Sequence, residues 1–307
     1  MTAHKFKRLV RFEDSSRTVH YGEVPASHGW SDDLTGLSVP TYSGGLPWES
    51  GFKLTGTTAT IAKVLRPIET TPIVYGVGLN YRQHAEEAKV KLVRPNYGNK
   101  PTNSPNKIPL PPYPMIFVKG AGSSALADPY EDIPIHKEAQ FMDYEGELTI
   151  IFGKKAKDLT ESDNVADYLL GYTVGNDVSS RYWQDPVRAG GQHGYAKAFD
   201  KFAPIGPILV SPAQIPDPTT LTMRTIVNGQ QRQITKTDDL IFDIPAIVRH
   251  LTRGRTIEPG TVVLTGTPSG VAAFMKPPAW LQNGDVVEVE ISEIGKIRNK
   301  MVFDSAS

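Results

Sequence analysis

The sequence predicts a β-rich α+β protein with few and short helices. Three observations carry this. Proline (25) and glycine (27) are plentiful and spread along the 307 residues, which breaks up long elements. Apolar residues at helical spacing are scarce. Short runs that alternate apolar and polar residues are common, as half-buried strands require.

Taken in order, "KRLVRFEDSSRTVHYGEV" reads as a hairpin around a polar turn. An irregular stretch with "YSGGLPWESG" follows, and the composition places a boundary near Pro67. This divides the chain into a small N-terminal β domain, 1–66, and a larger domain, 67–307. "IVYGVGLNYRQHAEEA" reads as a glycine-rich strand end before a helix. From Glu87 to Pro114 the chain is rich in proline and asparagine and has almost no periodicity, as expected of a functional lid or a disordered segment. "TLTMRTIVNGQQRQI" is a hairpin turning at Asn228-Gly229. "LIFDIPAIVRHL" suits a short helix, and "PGTVVLTGTP" a buried strand ending in a tight turn. In "DVVEVEISEIGKIRNKMV", Val287, Val289 and Ile291 share one strand face and Glu288 and Glu290 the other.

Composition excludes several classes. Lys+Arg and Asp+Glu are 33 each, so net charge gives no case for nucleic acid or an anionic membrane as partner. Cysteine is absent, which removes disulfides, thiolate catalysis and sulfur-based zinc sites. Any metal must use oxygen or imidazole ligands. The start, "MTAHKFKRLVRFEDSS", has no apolar signal core, and Glu13 and Asp14 argue against a mitochondrial presequence. No apolar run approaches a membrane span, so a cytoplasmic protein is expected, with a mitochondrial one as the alternative.

The stretch "MDYEGELTIIF" places Asp143, Glu145 and Glu147 on one face of a strand. Such a face usually meets water. Two carboxylates converging on Mg²⁺ is the alternative. In "GYTVGNDVSSRYWQ", Asp177 follows an apolar strand and either caps a helix or supplies a third oxygen ligand. Arg181 and Gln184 would share a helical face with it, at i+4 and i+7. Lys197 and Asp200 precede the apolar strand in "YAKAFDKFAPIGPILV", where a solvated lysine is the ordinary expectation. His84 and Glu87 lie at i and i+3, near enough to form an oriented base or an ordinary surface contact. Thr265, Gly266 and Thr267 offer hydroxyls and N–H groups to an anion, or form a simple turn. The Gly-x-Gly at Gly76 and Gly78 lacks the rest of a dinucleotide fingerprint.

The order of these stretches is more specific than any one of them. "GVGLNYRQHAEE", "MDYEGELTIIFGKKAKDL", "GYTVGNDVSSRYWQ", "KAFDKFAPIGP", "LTGTPSGV" and "LQNGDVVEVEISEIGKIRN" together resemble the fumarylacetoacetate hydrolase family, over roughly residues 73–303. The resemblance implies a mixed β-sheet roll or barrel-like core, a homodimer and a Mg²⁺ or Mn²⁺ site. By position, Glu145, Glu147 and Asp177 match the family's metal carboxylates, while Asp143 has no such match. Arg181, Gln184 and Lys197 match residues around metal and substrate, His84 and Glu87 the base dyad of the shorter members, and Thr267 a substrate contact. Ala198 stands where a serine is common. The segment 90–113 falls where those members carry a lid.

This resemblance implies C–C bond hydrolysis of an acylpyruvate-like 1,3-diketo acid, with His84–Glu87 activating water and Lys197 near developing oxyanion charge. Decarboxylation or keto–enol isomerisation of oxaloacetate or a related acid is the alternative. A binding module with a structural cation is a rival of another class, which the ordered acid, Arg and Lys set does not favour.

Overall fold

The computed structural model describes residues 5–88 and 112–304, so most of the expected lid (89–111) lies outside the described residues. The first stretch gives β1 (Arg8–Glu13), β2 (Val19–Glu23), β3 (Ser38–Ser43), β4 (Lys53–Thr60) and β5 (Lys63–Leu65). Then come β6 (Val74–Gly78), helix α1 (Arg82–Glu87), β7 (Met115–Gly120), β8 (Leu126–Ala127), β9 (Ile133–Ile135), β10 (Met142–Asp143) and β11 (Gly146–Phe152). The chain continues through β12 (Leu169–Asn176), β13 (Ser179–Ser180), helices α2 (Pro186–Ala189) and α3 (Gly194–Lys197), and β14 (Ala203–Val210). It closes with β15 (Thr222–Val227), β16 (Gln230–Lys236), α4 (Ile244–Thr252), β17 (Val262–Leu264), β18 (Val286–Ile291) and β19 (Gly295–Phe303).

Local chemistry accounts for these elements. β1 and β2 are the expected hairpin, with Phe12 opposite His20. Asn228 and Gly229 both take positive φ (50° and 78°), as a two-residue turn between twisted strands requires. Helix α4 starts where the Asp243 carboxylate accepts from Ala246 N at 2.8 Å, and it buries Ile244, Ile247, Val248 and Leu251 on one stripe.

A twelve-stranded mixed sheet runs β4-β3-β2-β1-β14-β12-β11-β17-β6-β7, with β5 added on β1 and β8 on β14. Its ladder passes from the first 66 residues into the rest through β1 and β14, where Leu9 faces Leu209. A second sheet runs β16-β15-β18-β19-β9, and β10 pairs with β13.

The site is placed by β11, whose residues are all buried. Leu148, Ile150 and Phe152 belong to the core shared with Val287, Val289 and Ile291 of the second sheet. Burial of each such side chain contributes about 1.5–3 kcal/mol. The two sheets approach closely at Gly146, where a Cβ would lie 2.2 Å from Thr225 Oγ1. The alternate face of β11 carries Glu147, Thr149 and Ile151. A carboxylate in the middle of a buried strand costs several kcal/mol unless it is paired or bound. The stretch that reads as a water-facing strand is therefore an interior one.

Candidate metal centre and active site

Glu145 and Glu147 enter the site from the start of β11, and Asp177 from the residue after β12. Glu145 is 6% exposed, and Glu147 and Asp177 are fully buried. One carboxylate oxygen from each lies within 4.8 Å of the others. The register that pairs Gly146 with Asn176 brings them together. Asn176 Oδ1 accepts from Glu145 N at 2.9 Å, and Asp177 N donates to Glu145 O at 2.8 Å.

Cations surround this cluster. Lys197 Nζ, at the end of α3, bridges Glu145 Oε2 (2.7 Å) and Asp177 Oδ2 (2.6 Å). It is 2% exposed, so the expectation of a solvated lysine does not hold. Arg181 Nη2 donates to Glu145 Oε1 at 2.6 Å, and its Nη1 to Gln184 Oε1 at 2.7 Å. Lys119 of β7 donates to Asp177 Oδ1, and to Val178 O at 3.0 Å.

The electrostatics differ within the pair of glutamates. Burial pushes Glu145 up, but Lys197 and Arg181 together outweigh it and hold the carboxyl below its ordinary range. Burial, followed by repulsion from Asp177 and Glu145, pushes Glu147 well above its ordinary value. Burial would lower Lys197, but Asp177 and Glu145 hold it above its ordinary value. Burial wins at Lys119 and lowers it.

The residues fit a divalent cation. Glu147 Oε2 accepts from Gly266 N at 2.5 Å, while Oε1 is buried with no hydrogen-bond partner among the described residues. A buried carboxylate oxygen left bare among other carboxylates can serve as a cation ligand. An all-oxygen donor set suits hard ions. Counting Asp143, Glu145, Glu147 and Asp177 against Lys119, Arg181 and Lys197 leaves one formal negative charge. A divalent ion reverses that sign and favours an anionic ligand.

Asp143 has a separate task. It is fully buried and accepts from Arg181 Nε (2.8 Å), Ala272 N (2.8 Å) and Ala273 N (3.1 Å). Both its oxygens are engaged, so it aims Arg181 while Glu145 and Glu147 face Asp177.

Two expectations around Asp177 are corrected. Asp177, Arg181 and Gln184 do not share a helix: Ser179 and Ser180 pair with Asp143 and Met142, and a 3-10 turn begins only at Arg181. Nor does Asp177 cap that turn, whose preceding residue is Ser180. Its carboxylate is taken by two lysines instead.

Helix α1 supplies the remaining pair. His84 Nδ1 lies 3.2 Å from Glu87 Oε2, and His84 is 5% exposed. Glu87 also accepts from Gly270 N at 3.1 and 3.2 Å. Gly270 lies four residues after Gly266, whose N–H holds Glu147, so the same stretch of chain ties the pair to the acidic cluster. Asn80 fixes α1 to the Thr265–Thr267 turn by donating to Thr265 O at 2.7 Å. Gly266 sits at φ +111°, and a Cβ there would lie 2.6 Å from Asn80 Cβ, so only glycine fits. Thr267 is 3% exposed in that turn. Asp200 makes no part of the cluster.

Sequence reasoning missed Lys119, Asn80 and Gln233. A lysine closing the apolar run "MIFVKG" is a signal that could have exposed Lys119.

A buried acidic triad that can hold a cation, ringed by Lys119, Arg181 and Lys197, is equipment for catalysis, and comparison with known proteins places the chain in a family of enzymes. The model of the fumarylacetoacetate (FAA) hydrolase C-terminal family matches residues 73–302, and the chain belongs to that family. Among curated relatives, the Xenopus laevis protein named oxaloacetate tautomerase fahd2, mitochondrial, is 39% identical over 78% of this chain and 68% of its own length. Human oxaloacetate tautomerase FAHD2A, mitochondrial, is 37% identical over 78% of this chain and 69% of its own length. Among solved structures, a 2-hydroxyhepta-2,4-diene-1,7-dioate isomerase from Mycobacterium marinum is 30% identical with a TM-score of 0.75, covering 98% of this chain and all of that one. A fumarylacetoacetate hydrolase from Exiguobacterium antarcticum is 29% identical with a TM-score of 0.69, over 97% of this chain and all of that one. The structural neighbours carry the β-rich mixed-sheet fold that the sequence predicts.

Proposed function

We propose that this protein is a divalent-metal-dependent tautomerase of oxaloacetate or a closely related 2-oxo dicarboxylic acid, with Mg²⁺ or Mn²⁺ held by Glu145, Glu147 and Asp177. The observation that carries the reading is the His84–Glu87 pair, tied through Gly270 to the stretch whose Gly266 holds Glu147 of the buried acidic cluster. A base next to a Lewis-acid site is the minimal equipment for moving a proton at the carbon beside a carbonyl. The Xenopus laevis and human relatives, 39% and 37% identical, are named oxaloacetate tautomerases.

The bound cation would supply Lewis-acid polarisation of the 2-oxo carbonyl. The chain does the rest. A carboxylate at Glu87 accepts from Nδ1–H of His84, which leaves Nε2 as the ring's basic atom. His84 Nε2 takes the C3 proton of the keto form, which leaves enolate charge on the C2 oxygen, and passes that proton to the C2 oxygen to complete the enol; the reverse transfers restore the keto form. Arg181, aimed by Asp143 and Gln184, holds the substrate carboxylate. Lys197 balances charge that develops on the C2 oxygen.

C–C hydrolysis of an acylpyruvate-like acid is the second reading. It is favoured by the same dyad, which can take a proton from water, and by the fumarylacetoacetate hydrolase among the structural neighbours. We further propose a small-molecule 2-oxo or diketo acid as the ligand and a homodimer as the assembly, with no nucleic-acid or membrane partner. No helix among the described residues is long and apolar enough to cross a membrane. The mitochondrial designation of relatives supports that compartment beside the cytoplasm as a proposed location, and fractionation of tagged protein decides between them.

The test follows oxaloacetate enol absorbance, carbon dioxide release and acetylpyruvate cleavage side by side, with Mg²⁺ and with EDTA. Metal-dependent enol–keto conversion outpacing the other two is expected. Acetate and pyruvate from acetylpyruvate as the dominant reaction would replace this reading with the hydrolase.

A further inference from the structure

Gln233 lies on β16, in the second sheet, and is 1% exposed. Its Oε1 accepts from Gly146 N at 3.1 Å, between the two metal-site glutamates. Its Nε2 donates to Thr267 Oγ1 at 2.8 Å and to Pro268 O at 2.9 Å. The amide has no freedom to flip. A backbone N–H only donates and a proline carbonyl only accepts, so oxygen must face Gly146 and nitrogen the turn.

That orientation has a chemical result. The Thr267 hydroxyl receives a hydrogen bond from Gln233, and its single hydrogen meets no protein acceptor among the described residues. Thr267 is thereby presented as a donor. It stands one residue from Gly266, whose N–H holds Glu147. The same amide thus ties the glutamate strand to the turn that carries this donor.

We propose that Gln233 is a positioning residue that fixes Thr267 as a hydrogen-bond donor to an anionic oxygen of the substrate, at a set distance from Glu145 and Glu147. This rests on the reading above that Thr267 faces the substrate. The hairpin carrying Gln233 thus contributes to recognition without touching the ligand.

The test is a double-mutant cycle on Gln233 and Thr267 in the Mg²⁺-loaded protein, read by oxalate affinity and by KM and kcat for oxaloacetate. In Gln233→Glu the carboxylate still accepts from Gly146 N but also accepts from Thr267, turning the hydroxyl hydrogen inward. Gln233→Met keeps the volume without any of the three hydrogen bonds and without added charge, and it carries the same cycle if the first variant does not fold. Each is expected to weaken oxalate binding and raise KM about tenfold, the scale of one lost hydrogen bond to a charged group, with a smaller change in kcat. Either variant combined with Thr267→Val should be no worse than Thr267→Val alone. Oxalate affinity equal to wild type, or losses that add to those of Thr267→Val, overturns the proposal and leaves Gln233 a packing residue. If Thr267→Val alone changes nothing in an active enzyme, Thr267 does not face the substrate and the inference falls while the tautomerase reading stands. A wild type that neither binds oxalate nor turns over oxaloacetate defeats both.

Discussion

Replacing Glu147 by Gln should stabilise the metal-free protein and weaken the metal-loaded one. Glu147 is buried against Glu145 and Asp177, with ligand oxygens within 4.8 Å of one another. At an effective dielectric of about 20, one pair of unit charges at that distance repels by about 3.5 kcal/mol. Lys197 offsets part of the repulsion from the two neighbours. The amide keeps the bond from Gly266 N, and its NH₂ group faces carboxylates that accept. We expect a net gain of about 1–3 kcal/mol without metal, or roughly 2–6 °C in Tm. In Mg²⁺ at about a thousand times Kd, the wild type gains about 4.1 kcal/mol, and the variant far less. The order of melting should therefore invert between EDTA and Mg²⁺ in thermal denaturation at pH 8. A variant that melts below wild type in EDTA, or that gains as much from Mg²⁺, would refute this electrostatic account of the cluster.

Three further outcomes follow from the same geometry. Because Glu147 is raised in the folded protein, the metal-free fold holds more protons than the unfolded chain between the ordinary carboxyl range and the raised value, and gains stability as pH falls through that window. Protons therefore compete with the ion, and the Mg²⁺-induced rise in Tm should be larger at pH 8 than at pH 5; equal rises would count against a raised Glu147. His84→Gln should lower turnover about 10²–10⁴-fold while the Mg²⁺-induced rise in Tm persists, and loss of both together would place His84 in the metal site rather than at the proton. Asp143→Asn removes the charge that faces Arg181 Nε in the interior and should cost about 3 kcal/mol with a raised KM; an unchanged melt would mean Arg181 is held without Asp143.

Much of this site was legible because strand period is short and local. Glu145 and Glu147 share a face by spacing alone, and Val287, Val289 and Ile291 mark a buried face the same way. Asp143 obeys the same period but has a different role, because β10 ends at Asp143 and β11 begins only at Gly146. Its contacts come from Arg181 and from the backbone of residues 272–273, which no local pattern encodes. Arg181 and Asp177 looked like one helical face, yet pairing of β13 with β10 keeps residues 179–180 extended. Lys119 and Gln233 were hidden for a related reason. They reach Asp177 and Gly146 across 58 and 87 residues of chain, so only the sheet topology brings them in.

The central claim is proton movement at the carbon beside a carbonyl, assisted by metal. It is tested most directly by NMR of oxaloacetate in D₂O, measuring deuterium entry at C3 against the uncatalysed rate. The account predicts fast exchange with Mg²⁺ and wild-type protein, with loss on adding EDTA or in His84→Gln. Exchange at the uncatalysed rate in the Mg²⁺-loaded protein, or exchange that EDTA leaves untouched, would contradict it.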